Sequence, residues 1–225
     1  MKRGMEQRHF DTELLELKEK LLLLAAKAED IVDRAIEALR NRNQDMAEQV
    51  LSLDKEADRL EMEIEEETIS LMARHQPAAV DLRFLVGVLK INNDLERIGD
   101  HGVNIAQSAL RLNSQPEVKP LIDIPRMSEE AVGMLRDSID SFVANDPDKA
   151  RRVCRRDDRV DALKDQIFRE LLTHMMEKPE IITRAMELIL VSRNLERVAD
   201  LATNICEETI YIAEAKVIKH HADGR

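Results

Sequence analysis

Pairs of carboxylates four residues apart recur in this chain as Asp54 and Asp58, Glu96 and Asp100, Asp157 and Asp161, and Glu196 and Asp200. On a helix, side chains at that spacing share one face, with Cβ atoms ~6 Å apart. The first and third pairs are 103 positions apart, the second and fourth 100. Folding the chain back on itself at Pro77 sets Asp54 level with Asp100 and Asp58 level with Glu96. Folding it beside Pro179 does the same for Asp157 with Asp200 and Asp161 with Glu196. Each half of the chain therefore gathers four carboxylates at one height. Like charges at such separations repel by up to a few kcal/mol at an effective dielectric of ~20, so something positive belongs between them. Arg97 and Arg197 supply part of it at helical spacing. Oxygen-only ligand sets also suit hard cations such as magnesium, manganese or ferric iron. Acidic pairs also decorate solvated helix faces in a chain that is 35% charged, but four pairs matched by repeat and by height favour cation binding. Asn104 and Asn204 continue the stripes one turn on and can add carbonyl oxygens.

The elements that must position these groups are long helices. Leu14, Leu17, Leu21, Leu24, Ala28, Ile31, Ala35 and Ala38 step by three and four, a heptad seam on a first helix that stops at Asn41 to Asn43. A second seam runs through Val50, Leu53, Ala57, Leu60, Ile64 and Leu71 and stops before Pro77, whose ring is expected to restrict Gln76 to extended geometry. A third follows through Phe84, Val88, Ile91, Leu95, Ile98, Gly102, Ile105, Ala109 and Leu112. Three amphipathic helices joined by short turns bury their stripes against one another, which predicts an antiparallel three-helix bundle. After NSQPEVKPLIDIP, with prolines at 116, 120 and 125, the pattern begins again. Val50, Ala57, Leu60 and Ile64 return 103 positions on as Val153, Val160, Leu163 and Ile167. The offset then falls to 100, so the second copy has a turn shorter by three residues. The chain is expected to be all-α, two tandem pseudo-symmetric antiparallel three-helix bundles over 1–115 and 116–225.

Composition excludes other classes. Aromatic residues are 2% of 225, and Gly and Pro number 6 each, the profile of a helical bundle rather than a sheet. The longest apolar run, Leu21 to Ala26, is far short of the ~20 residues that span a bilayer. With no leader-like start either, the expectation is a soluble, cytoplasmic protein. Cys154 and Cys206 have no metal-ligand spacing and read as small hydrophobes. A net charge of -11 disfavours nucleic acid, whose phosphates need Lys and Arg. The one basic cluster, Arg151, Arg152, Arg155 and Arg156, reads as a solvated helix face rather than a phosphate site.

The stretch QPAAVDLRFLVGVLKINNDLERIGDHGVNIA and its degenerate copy ending SRNLERVADLATNICEETI closely resemble the PhoU family of phosphate-uptake regulators, and the likeness runs over essentially the whole chain. The resemblance implies two three-helix bundles, no catalytic activity, a homodimer, and metal ions (iron, manganese, magnesium or zinc) on surface E/DxxxD motifs. Those motifs are here Asp54, Asp58, Glu96, Asp100, Asp157, Asp161, Glu196 and Asp200. It further implies a negative regulator of phosphate uptake and of the phosphate-starvation response, one that links the ATPase subunit of the phosphate ABC transporter to the phosphate-sensing histidine kinase. One departure stands out: Lys164 replaces Glu61 of the first copy, so the second site is expected to be weaker. An adaptor for another ion transporter would share the fold. A ferritin-like di-iron oxidase is a third reading, but it needs Glu-x-x-His motifs on inward faces of the bundle. The chain has no such set: His101 follows Asp100 directly, His75 and His174 lie near helix ends, and His220 and His221 are in the tail.

Overall fold

The computed structural model describes residues 2–215, with side chains from His9 onward; residues 216–225, including His220 and His221 and the end of the second expected bundle, lie outside the described residues. All regular structure among the described residues is helical. The order is α1 (Lys2–Arg40), α2 (Gln44–His75), α3 (Ala79–Asn113), α4 (Asp123–Ala144), α5 (Pro147–Cys154), α6 (Asp157–Glu177), a 3-10 turn (Pro179–Ile181) and α7 (Ile182–Glu214).

The seams bury as their periods require. Leu17, Leu21, Leu24 and Ile31 of α1 meet Ile64 and Leu71 of α2 and Leu85, Ile91, Leu95 and Ile98 of α3 in one core, each fully enclosed. Helix α2 starts where the Asn43 side chain accepts from the Met46 N–H at 3.0 Å. It stops where Gln76, just before Pro77, is left-handed (φ 46°) and not extended as expected, because that turn lets its N–H donate to the Met72 carbonyl and cap the helix. The α1–α2 turn is pinned to the far end of α3. There the Arg42 guanidinium donates to the carbonyls of Asn113 (2.8 Å) and Gln115, satisfying acceptors that the helix end leaves open. Gly102 lets α1 and α3 touch, since a Cβ there would stand 2.5 Å from Ile31 Cγ2 and 3.2 Å from the Val32 backbone nitrogen.

The second copy repeats the pattern with a shorter first helix, a 3-10 turn before the last helix and a break in the middle one. Where one helix is expected, the chain forms two, α5 and α6, joined by Arg155 and Arg156. Both joining residues stay right-handed, but the bonds from Arg156 N to Val153 O and from Arg159 N to Arg156 O reach back only three residues, so the turn is wound tighter than α. Arg156 stands where the first copy has Leu53. Its guanidinium bonds Glu130 at 2.8 Å and Asp137 at 2.6 Å on α4 instead of entering the core. Arg151 likewise bonds Glu214 of α7 at 2.8 Å. Half of the basic cluster is therefore engaged in ties between helices, and it is not the freely solvated face the sequence suggests. Of the two thiols, Cys206 is buried and Cys154 half-buried, with a hydrogen bond between them.

The bundles pack on each other. Helices α3 and α7 run antiparallel across the junction, joined by Lys90 to Glu208 (2.7 Å), His101 to Asn194 (2.9 Å) and Arg111 to Glu187 (2.8 Å). Further contacts reach α4, where Arg136 bonds Glu29 of α1 at 2.6 Å and the Phe142 ring stacks on that of Phe84 of α3, 5.8 Å apart. No helix among the described residues is long and apolar enough to cross a membrane.

Candidate cation grooves on the bundle faces

Each acidic quartet sits in a groove between two antiparallel helices, α2 and α3 in the first bundle and α6 and α7 in the second. In the first groove Asp100 is exposed, while Asp54, Asp58 and Glu96 are half-buried beside it. Burial, followed by the charges of Asp58 and Asp100, pushes the Asp54 carboxyl up to about 6. Glu96 is raised by burial first, then by Asp100, Glu61, Asp58 and Asp54. All four sequence-derived residues thus feel one another, as the height argument required. Gly99 lies beneath them, with Asp54 Oδ1 3.6 Å from where a Cβ would stand, an ordinary contact distance.

Two further residues belong to this groove. Glu61 lies a turn beyond Asp58 and is raised by burial, Glu65 and Asp58. The buried Asn92 amide holds it, donating to the Glu61 carbonyl at 3.0 Å and to Oε1 at 3.1 Å. The signal was present in the sequence, because Glu61 extends the stripe from Asp54 and Asp58 by seven and three residues. No cation pulls down any of the three shifted carboxyls, Asp54, Glu61 and Glu96. Arg97 acts instead on Asp94, on the side facing the other bundle.

The second groove brings Asp157, Asp161, Glu196 and Asp200 together in the same way. Asp157 is pushed up to about 6 by burial, then by Asp200, Asp161, Asp158 and Glu196. Here, however, positive charge is built in. The Lys164 ammonium donates to Asp161 Oδ1 at 2.9 Å and to Glu196 Oε1 at 3.3 Å. Arg197 Nη1 donates to Asp200 Oδ2 at 2.7 Å.

Of the asparagines placed on the stripes, Asn204 is drawn to the junction between the bundles. Asn104 and Asn204 are both exposed, and Asn204 hydrogen-bonds Asp94 across the junction. The histidines serve elsewhere: His75 pairs with Glu13 at 2.8 Å and His101 with Asn194. The Glu-x-x-His spacing occurs at Glu6 and His9, in the first turns of α1. Among the described residues no group of three or more His, Cys, Asp or Glu side chains is arranged to hold a metal ion as it stands. Carboxylates this close keep apart unless something positive stands between them.

The fold and the two grooves can be set against known proteins. The PhoU domain model matches residues 21–109 and again 124–209. The chain belongs to the PhoU family. It is 43% identical over 208 residues to the phosphate-specific transport system accessory protein PhoU homolog of Aquifex aeolicus, covering 92% of this chain and 94% of that one. To the homolog of the same name from Clostridium acetobutylicum it is 38% identical, covering 95% and 98%. The crystal structure of PhoU from Pseudomonas aeruginosa superposes with a TM-score of 0.89 at 34% identity, covering 92% of this chain and all of that one. The PhoU regulatory protein of Streptococcus pneumoniae gives 0.86 at 27% identity, over 94% of this chain. The first PhoU segment contains Asp54, Asp58, Glu96 and Asp100, and the second contains the other four acids together with Lys164. The duplication in this PhoU-family chain is thus one of fold, and the two copies differ in the charge of their grooves.

Proposed function

We propose that this chain is the accessory regulator of a phosphate-specific transport system, a cytoplasmic, non-catalytic protein that restrains phosphate uptake and the phosphate-starvation response. It acts by contact, between the ATPase subunit of the phosphate ABC transporter and the phosphate-sensing histidine kinase, and works as a homodimer. The observation that carries this reading is likeness over 92% of the chain, at 43% identity, to a protein named for that accessory role. The long exposed helix faces suit it, since two similar bundles let one chain engage two partners or one symmetric partner. Charge on those faces makes such contacts salt-sensitive.

The first groove fits a hard cation. Asp54, Asp58, Glu96 and Asp100 would hold it, with Glu61 beside them, and all five offer oxygen alone. Burial and mutual repulsion raise Asp54 and Glu96, which marks charge that nothing in the groove neutralises. A bound magnesium, manganese, iron or zinc ion would supply that neutralisation and tie α2 to α3. The residues themselves orient the oxygens from two helices and leave the groove open to solvent at Asp100. Deleting the gene should leave the starvation genes switched on at high phosphate. Normal repression in the deletion strain would overturn the regulatory reading. Replacing Glu96 and Asp100 by Ala should abolish metal uptake by the first bundle with helicity intact, and unchanged metal content would overturn the cation reading.

A further inference from the structure

We propose that Lys164 is a built-in cation that takes, in the second bundle, the place a bound metal ion takes in the first, so that the protein has one metal-responsive groove and not two. The inference rests on the cation reading of the first groove given above. Its ground is the geometry of one side chain. Lys164 leaves α6 at the position equivalent to Glu61 and reaches one carboxylate on each wall of the groove, Asp161 on α6 and Glu196 on α7. Bridging oxygens from two helices is the task of a bound ion at such a site, and here a tethered ammonium performs it. The ion pair is sheltered, since the Lys164 side chain is 27% exposed and that of Glu196 17%. Solvent therefore screens it less than an ordinary surface pair.

Arg197 completes the substitution. It holds Asp200 at 2.7 Å, and its Nε lies 3.6 Å from the second oxygen of Glu196. Three of the four acids in the second groove are therefore in ion pairs within the protein, leaving Asp157 with Asp158 just outside. The first groove inverts each of these features. Its residue at the lysine position is a fifth acid, held by Asn92, and its equivalent arginine acts on Asp94 instead. A metal ion approaching the second groove has to displace an ammonium and a guanidinium that never diffuse away. In the first groove it meets carboxylates that repel one another.

Manganese(II) titration of metal-free protein, followed by the paramagnetic signal of the free ion and by thermal unfolding, tests this. In the parent, Glu96→Ala with Asp100→Ala should remove all bound manganese; any that remains bound in the second bundle overturns the proposal. Lys164→Glu should lower the unfolding temperature of the metal-free protein, and manganese should restore it while one more site appears in the titration. Lys164→Gln removes the cation without adding a charge. It should also lower the unfolding temperature of the metal-free protein, and a variant as stable as the parent would overturn the proposal even if Lys164→Glu fails to fold. Should the parent bind no manganese while Lys164→Glu does, the cation reading of the first groove falls and the role of Lys164 stands. Should Lys164→Glu gain no site, the role of Lys164 falls whatever the first groove does.

Discussion

Asp94→Asn should stabilise the protein at neutral pH. Asp94 lies on α3 at the junction of the bundles, 9% exposed, opposite Asn204 of α7. Burial lifts its carboxyl to about 6, against 3.8 in an unfolded chain; Glu208 adds to the lift, while the Asn204 hydrogen bond, Arg97 and Lys90 oppose it. A folded pKa above the unfolded one means that the native state holds this proton more tightly. The stability it contributes is fully present below pH 4 and is lost as the pH rises towards 6, beyond which the penalty is constant. At 1.36 kcal/mol per pKa unit, the ceiling for a lift of roughly two units is about 3 kcal/mol. Asparagine also gives up the attraction of Arg97 and Lys90, so a gain of ~1 to 2 kcal/mol is expected after that loss.

For a chain of this length that corresponds to a rise of about 3 to 6 °C in the unfolding temperature at pH 7.5. Asn204 can turn its amide to accept from the new side chain, so the hydrogen bond itself need not be lost. The assay is thermal unfolding by far-ultraviolet circular dichroism from pH 4 to pH 8. The difference between variant and parent should grow between pH 4 and 6 and then level off. A variant less stable than the parent at pH 7.5, or a gain of the same size at pH 4, would refute the reasoning.

Three other perturbations probe separate links. Gly102→Ala should cost ~1 to 3 kcal/mol in chemical denaturation, because the added methyl meets the Ile31 side chain at 2.5 Å and backbone behind it; a neutral result would mean that α1 and α3 can move apart freely. Gln76→Gly should stabilise by up to ~1 kcal/mol, since the α2 cap sits at φ 46° where only glycine is unstrained, and a loss of stability would show that the Gln76 side chain matters more than its backbone. Manganese affinity at the first groove should rise with pH through about 6, where Asp54 gives up its proton; binding that is flat from pH 5 to 7.5 would place the ion elsewhere.

Much of this was legible because two periods act together. The helical period puts Asp54 with Asp58 and Glu96 with Asp100 on single faces, and an antiparallel return through Pro77 brings the two faces level; neither step needs tertiary detail. Whether the stripes converge in one groove depends on bundle handedness, which the heptads leave open. Their mutual effect on Asp54 and Glu96 shows that they do. The α5–α6 break carries no proline or glycine to announce it. It coincides with one exchange, in which an arginine takes the place of Leu53 and bonds Glu130 and Asp137.

The junction between bundles was hidden for a more general reason. Lys90, Asp94, His101 and Arg111 fall outside the seam of α3, and polar residues outside a seam have the same appearance whether they meet water or a second bundle. Their partners, Glu208, Asn204, Asn194 and Glu187, are equally ordinary on α7. What distinguishes the set is its order: rising along α3 the partners descend along α7, as two antiparallel helices demand. That regularity appears only when the pairs are known. Seams and carboxylate stripes are each written within one helix or one hairpin, whereas this register belongs to two helices a hundred residues apart.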